Sequence, residues 1–288
     1  MGRRHSWAYK EYTVYCTSLT QKGHKRTVTL MLHRTSISMS LLVLALAAPG
    51  LATAETKLIP VSFAGPAEVS DSASLPRELD AALLDIANTT RAQSGLAPLN
   101  FDTGLAAVAE AHARDMATSG YVGYADPSGA SLFDKVRISD RSALIGSFGS
   151  SLAVLDAGAT AAEIHGAIQS DAGNAENLRR GFTHAGMGTY ESGGKVFVVQ
   201  LYARIDGELA QPLPTRLTDA TLIQPALFND DMTTIGWSLS DEQGALLARG
   251  SGRRIHGAQG RTLEGFLDLD VAVGPDVYTL RGPYVQLN

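Results

Sequence analysis

Apolar residues recur at three- and four-residue spacing through the first half of this chain, and short alternating runs replace them in the second half. Pro76 and Glu78 suit the first turn of a helix, and Leu79, Leu83, Ile86 and Thr90 fall on one face until Gly95 interrupts it. Asp102 stands where a side chain caps a second helix. Leu105, Val108, His112 and Met116 form its stripe, and Gly120 marks its end. A turn at Asp126-Pro127-Ser128-Gly129 precedes a short helix beginning with Leu132, Phe133 and Val136. Thr160-Ala161-Ala162-Glu163 has capping-box form, in which hydroxyl and carboxylate each engage an exposed backbone N–H, and opens a further helix toward Ser170.

Two strand-like runs, 184–190 and 195–202, are joined through Gly193-Gly194 as a hairpin. From Asp206 onward the pattern changes. Pro212 and Pro214 mark a linker, and strands are predicted over 233–239, 245–248, 261–270 and 277–280, as in a second, all-β module of sandwich type over 216–288.

The start of the chain reads differently. Arg34 precedes the apolar run from Leu41 to Ala48, followed by Pro49-Gly50 and the small residues Ala52-Thr53-Ala54. A basic start, a short apolar middle and small residues two apart make a secretory signal, with cleavage expected after Ala54. The run is too short for a stable span, which takes roughly 20 apolar residues. Met31 offers a start that yields a signal of ordinary length, leaving 1–30 as an upstream extension. Residues 55–75 are small and polar and read as a loose arm.

Charge sharpens this division. The whole chain of 288 residues is at −5, but residues 1–54 hold seven Lys/Arg and one acid. The exported part, with 17 bases and 28 acids, is at −11, which argues against a dedicated nucleic-acid binder. Cys16, the single cysteine, leaves with the leader, so neither a disulfide nor a thiolate metal cluster holds the exported fold, and no lipid-anchored cysteine follows the signal.

Four segments, in order and with consistent spacing over roughly 125 residues, carry a family resemblance. Asn88-Thr89-Thr90-Arg91 followed by Gly95-Leu96-Ala97-Pro98-Leu99 matches N-x-x-R-x-x-x-G-L-x-P-L. Leu105 to Ala117 matches L-x-x-x-A-x-x-H-A-x-D-M-A, through His112, Ala113, Asp115 and Met116. Asp126-Pro127-Ser128-Gly129 with Phe133-Asp134 matches D-P-x-G-x-x-x-F-D. Phe182-Thr183-His184-Ala185-Gly186-Met187-Gly188 and Val198-Val199-Gln200-Leu201-Tyr202 match F-T-x-x-G-x-G and its closing strand. The stretch resembles the CAP superfamily (cysteine-rich secretory, antigen 5 and pathogenesis-related proteins) in its cysteine-free bacterial form. The resemblance implies an α-β-α sandwich over 76–205, and with the β module an α+β protein.

The family's cleft presents two histidines and two glutamates able to hold a divalent metal. Here the first histidine position is Tyr124, the glutamate of its G-E-N segment falls on Ser150, and the second histidine falls on Asn174. No residue is assigned to the remaining glutamate. Neutral hydroxyl and amide groups do not offset a dication, so the resemblance implies a cleft without its metal and without a cofactor. Tyr124, Ser150, Ser151, Asn174, His184 and Gln200 are the candidate cleft residues, with Tyr121 and Phe148 as apolar contacts.

Other chemistry is sparse. No H-E-x-x-H and no G-x-S-x-G occurs. His112 is expected in the core and His165 on a surface-compatible helical position. Gly149-Ser150-Ser151 reads as a serine-rich loop. Glu264, Asp268 and Asp270 share a strand face, read as solvated in preference to a Ca²⁺ site. Three functions stay open: an exported non-enzymatic module whose cleft binds a small apolar or amphipathic ligand or an envelope component, a hydrolase of peptide or cell-wall material, and an inert scaffold with recognition by 216–288. N-terminal sequencing of exported protein is expected to begin at Glu55; an N-terminus upstream of residue 40 contradicts the cleavage.

Overall fold

The computed structural model describes residues 75–218, 221–256 and 260–288; the expected leader, and the arm up to residue 74, lie outside them. The chain runs through α1 (Leu75–Gln93), β1 (Asn100–Phe101), α2 (Thr103–Ser119), α3 (Leu132–Ser139), β2 (Ala143–Asp156), α4 (Ala161–Gln169), α5 (Ala172–Asn177), β3 (His184–Ser192) and β4 (Lys195–Leu209). Then follow β5 (Arg216–Leu217), β6 (Pro225–Leu227), β7 (Met232–Ser240), β8 (Leu246–Ser251), β9 (Leu263–Val273) and β10 (Asp276–Leu287).

Local chemistry sets the helix ends. Asp102 accepts the Leu105 N–H at 2.7 Å, and Gly120, at φ 71°, closes α2 in the left-handed conformation that a side chain resists. Ser131 with Asp134 and Thr160 with Glu163 form reciprocal capping boxes at α3 and α4. Gly193 and Gly194, both at positive φ, make the β3–β4 hairpin.

Strand β4 lies at the centre of three layers. Phe197, Val199, Leu201 and Ala203 pack with α2 and α3 on one face. Val196, Val198 and Tyr202 meet residues of α1 and α4 on the other, together with Leu178 and Phe182. This is the expected α-β-α arrangement, with the sheet order β1-β3-β4-β2.

Strand β2 is a correction. Gly149-Ser150-Ser151, read as a loop, lies mid-strand and pairs with Tyr202, Leu201 and Gln200 of β4. A Cβ on Gly149 would stand 2.8 Å from both Asn177 and Phe182, so close cover by the helical layer selects a residue that weakens the strand pattern. The linker also begins later than expected, since β4 continues to Leu209.

The C-terminal strands extend the same hydrogen-bonded sheet, in the order β2-β10-β9-β7-β8. Their own core gathers Trp237, Leu239, Leu267, Leu269 and Val271 under Leu213, Leu217, Ile223 and Ile255. One ion pair ties α3 to them. Arg137 (6% exposed) meets Asp268 (2%) at 2.5 Å and also donates to the carbonyls of Gly282 (2.6 Å) and Leu267 (3.0 Å). Its guanidinium lies over the Phe266 ring, and Arg281 completes Asp268 at 2.6 Å. Asp268 is therefore buried and paired, not solvated as the strand pattern suggested. Glu264 is exposed, and Asp270 accepts from Thr279. Asp268→Ala strands the Arg137 cation, and urea unfolding is expected to show a loss of about 3–5 kcal/mol; a change within about 0.5 kcal/mol contradicts the role given to this pair.

Candidate functional site

Tyr124, Ser150 and Asn174 come together, joined through α5. Asp171 caps that helix by accepting the Asn174 N–H at 2.9 Å, which turns the Asn174 side chain toward the loop after α2. There its Oδ1 accepts from the Tyr124 hydroxyl at 3.0 Å. One turn later, Asn177 donates through Nδ2 to the Ser150 carbonyl at 2.9 Å and to the Ser151 hydroxyl at 3.1 Å. Beside these groups Phe133 and Phe148 stack at 4.8 Å, and both, like Tyr124, are half-buried on the rim of the α2–α3 core. The result is a strip of neutral polar groups next to an aromatic pair.

Of the other candidates, Ser151 meets the strip only through Asn177, and Gln200 and His184 lie elsewhere. Ser151 and Gln200 are register partners facing the α1–α4 layer, and both are fully buried. The Tyr202 hydroxyl donates to Gln200 Oε1, and burial pushes the Tyr202 phenol up. They serve the core, because β2 turns adjacent side chains to opposite faces. His184 begins β3, with Nδ1 2.8 Å from the Thr183 hydroxyl; β4 stands between β3 and β2, about 10 Å of sheet.

His112 occupies the core as expected, 1% exposed. Its Nε2 lies 2.8 Å from the Gly123 carbonyl and its Nδ1 3.3 Å from Lys135 Nζ. Lys135 also pairs with Asp126 at 2.9 Å and Asp115 at 3.8 Å. Tyr121 donates to Asp115 at 2.6 Å, the first cause of that carboxyl's lowered pKa. Hydrogen bonding from Ser128 and Lys135 holds Asp126 well below the usual carboxylate range. His165, expected at the surface, is half-buried against the Thr90 hydroxyl at 3.1 Å.

Residues 84–202 match the family model described as CAP, the cysteine-rich secretory protein family. These residues form a CAP domain. Among solved structures, an extracellular protein with an SCP domain from Bacillus anthracis is 20% identical, at TM-score 0.39, over 49% of this chain and 45% of its own. An outer surface protein of Borrelia burgdorferi is 16% identical, at TM-score 0.39, over 43% of this chain and 90% of its own. The match spans less than half of the Bacillus protein. No curated protein matches the chain.

The retained CAP segments are architectural. Asn88 exchanges two hydrogen bonds with the Leu99 backbone, at 2.7 and 3.1 Å. Arg91, 2% exposed, donates to the carbonyls of Ala97, Leu178, Arg180 and Phe182 at 2.9–3.1 Å, pinning α1 to the turn before β3. Asp126 accepts from Ser128 and Ala130 and shapes the turn into α3. A Cβ on Gly186 or Gly188 would overlap the backbone of α2 at Ala106 or Glu110, so these glycines let helix and strand touch.

The metal implied by the family does not fit. The residues expected at the cleft, Tyr124, Ser150 and Asn174, offer phenol, hydroxyl and amide groups in place of the imidazole and carboxylate that a transition-metal dication prefers, and Asn174 Oδ1 already accepts from Tyr124. Among the described residues no group of three or more His, Cys, Asp or Glu is placed to hold an ion. The sequence reading missed Asn177 and Lys135. Asn177 had a signal, as the last asparagine of Gly173-Asn174-Ala175-Glu176-Asn177-Leu178, whereas Lys135 meets His112 only through tertiary folding. Calorimetric titration with Zn²⁺ is expected to show no stoichiometric tight binding; such binding, abolished by Asn174→Ala, contradicts the neutral cleft.

Proposed function

We propose that this is an exported protein whose CAP domain binds a small apolar or amphipathic molecule, or an envelope component, without catalysing its reaction. The observation that carries the reading is the Tyr124–Asn174 hydrogen bond beside the Phe133–Phe148 stack. Hydroxyl and amide groups can exchange hydrogen bonds with an uncharged head, and the half-exposed rings can cover an apolar body. The signal pattern at 34–54 supports export, and no helix among the described residues is long and apolar enough to cross a membrane.

A hydrolase needs an acid and a base within reach of one substrate. The strip itself offers hydroxyl and amide groups, the carboxylates beside it are engaged (Asp171 by the Asn174 N–H, Asp126 by Lys135), and His112 is buried with both nitrogens engaged. A scaffold reading, with recognition by the C-terminal strands, draws support from a surface hollow of about 460 Å³ lined by Pro225, Leu227, Met232, Thr233 and Arg253.

Mass spectrometry of small molecules extracted from protein covering 55–288 tests the first reading. A co-purifying uncharged or amphipathic molecule is expected, with affinity falling about tenfold in Tyr124→Ala and in Phe148→Ala, since each loses contacts worth about 1–2 kcal/mol. A ligand retained equally by both variants and released by Met232→Asp moves the function to the C-terminal strands.

A further inference from the structure

The loop that carries Tyr124 is held on its inner side by a buried histidine, through the Gly123 carbonyl. We infer that His112 and Lys135 are positioning residues for Tyr124, and that proton uptake by His112 releases the loop and breaks the Tyr124–Asn174 contact. This makes the binding strip proposed above acid-sensitive, and rests on that reading only for its consequence.

The geometry fixes the tautomer. His112 Nε2 faces a carbonyl, that of Gly123, and must donate; Nδ1 faces the Lys135 ammonium, which can only donate, so Nδ1 is a bare acceptor. The ring is neutral. The charged or titratable groups around it are Asp115 from α2, Lys135 from α3, and Tyr121 and Asp126 from the loop. A proton on Nδ1 removes the acceptor and sets a second cation 3.3 Å from the ammonium. Lys135 must then move, and with it the 2.9 Å pair to Asp126 at the far end of the loop. Gly123 remains tethered through Nε2, and the Tyr124 carbonyl still accepts from the Leu132 N–H at 3.1 Å, so what is lost is the Lys135 clamp on Asp126, two residues from Tyr124, and the ring of Tyr124 is the part of the loop left to shift.

Burial, with Lys135 adding to it, holds His112 below the ordinary 6.5, against the Gly123 carbonyl, Asp115 and Asp126. The unfolded or loosened chain takes up the proton first. The ordered loop therefore loses stability as pH falls below about 6.5 toward the folded-state value. Asp80, bonded to Thr189 in the α1 layer and pushed up by burial to about 7, titrates in a neighbouring range, so the readout must be residue-specific.

Protein covering 55–288, without ligand, is titrated from pH 8 downward by NMR. The His112 ring, the Tyr124 ring and the Asn174 side-chain amide are expected to shift with one common midpoint below 6.5. Lys135→Met should raise that midpoint, since it removes the neighbouring cation, and His112→Gln should leave the Tyr124 and Asn174 signals independent of pH. Tyr124 and Asn174 signals that stay fixed while His112 titrates overturn the inference. So does a His112 ring that never titrates, a Lys135→Met midpoint that does not rise, or an unchanged response in His112→Gln. No ligand enters these measurements, so their failure leaves the binding reading standing.

Discussion

Strand β4 is covered on both faces, and from Val196 to Ala203 its residues are at most 1% exposed. That double cover constrains the rest of the CAP domain. Helix α2 can lie on β3 only where Gly186 and Gly188 remove the Cβ, and β2 can lie under Asn177 and Phe182 only where Gly149 does the same. The strip at Tyr124 therefore sits at the edge of a rigid layered body, and the few groups exposed there are held from behind by packed structure.

Among the described residues, the buried cations and their partner carboxylate are hydrogen-bonded or paired. Arg91 finds four carbonyls, and Arg137 finds Asp268 and two carbonyls beneath an aromatic ring. Desolvation opposes each cation, and each contact offsets it. The two arginines join parts of the chain far apart in sequence: Arg91 reaches 91 residues forward to Phe182, and Arg137 reaches 145 residues to Gly282. At the strip there is no such need. The side chains of Tyr124 and Asn174 are neutral and bond to each other, and the nearby carboxylates are already engaged by the α5 backbone and by Lys135.

The family pattern divides along the same line. Asn88, Arg91, Asp126, Gly186 and Gly188 hold turns, layers and close approaches, and they persist here. Tyr124 bonds to Asn174, and the Ser150 carbonyl accepts from Asn177, polar contacts of modest strength between neutral groups. A matching fold alone does not carry a family's metal chemistry over to a new chain.

The sequence by itself determined the elements whose signals are local. The α2 cap at Asp102 and its end at Gly120, the capping box at Thr160 and the β3–β4 glycine turn follow from neighbours within a few residues, and the α-β-α layers from the fold that the resemblance to the CAP superfamily implies. Tertiary structure decided everything that depends on what lies opposite. It hid β2, whose glycine and serines answer to α5 and Phe182; it buried Asp268, which shares a polar-looking face with the exposed Glu264 until Arg137 arrives from α3; and it separated Ser150 from Ser151 and Gln200 across the sheet. Local hydrogen bonds and periodicity are written in adjacent residues, whereas burial and ion pairing belong to partners that only the folded chain brings within reach.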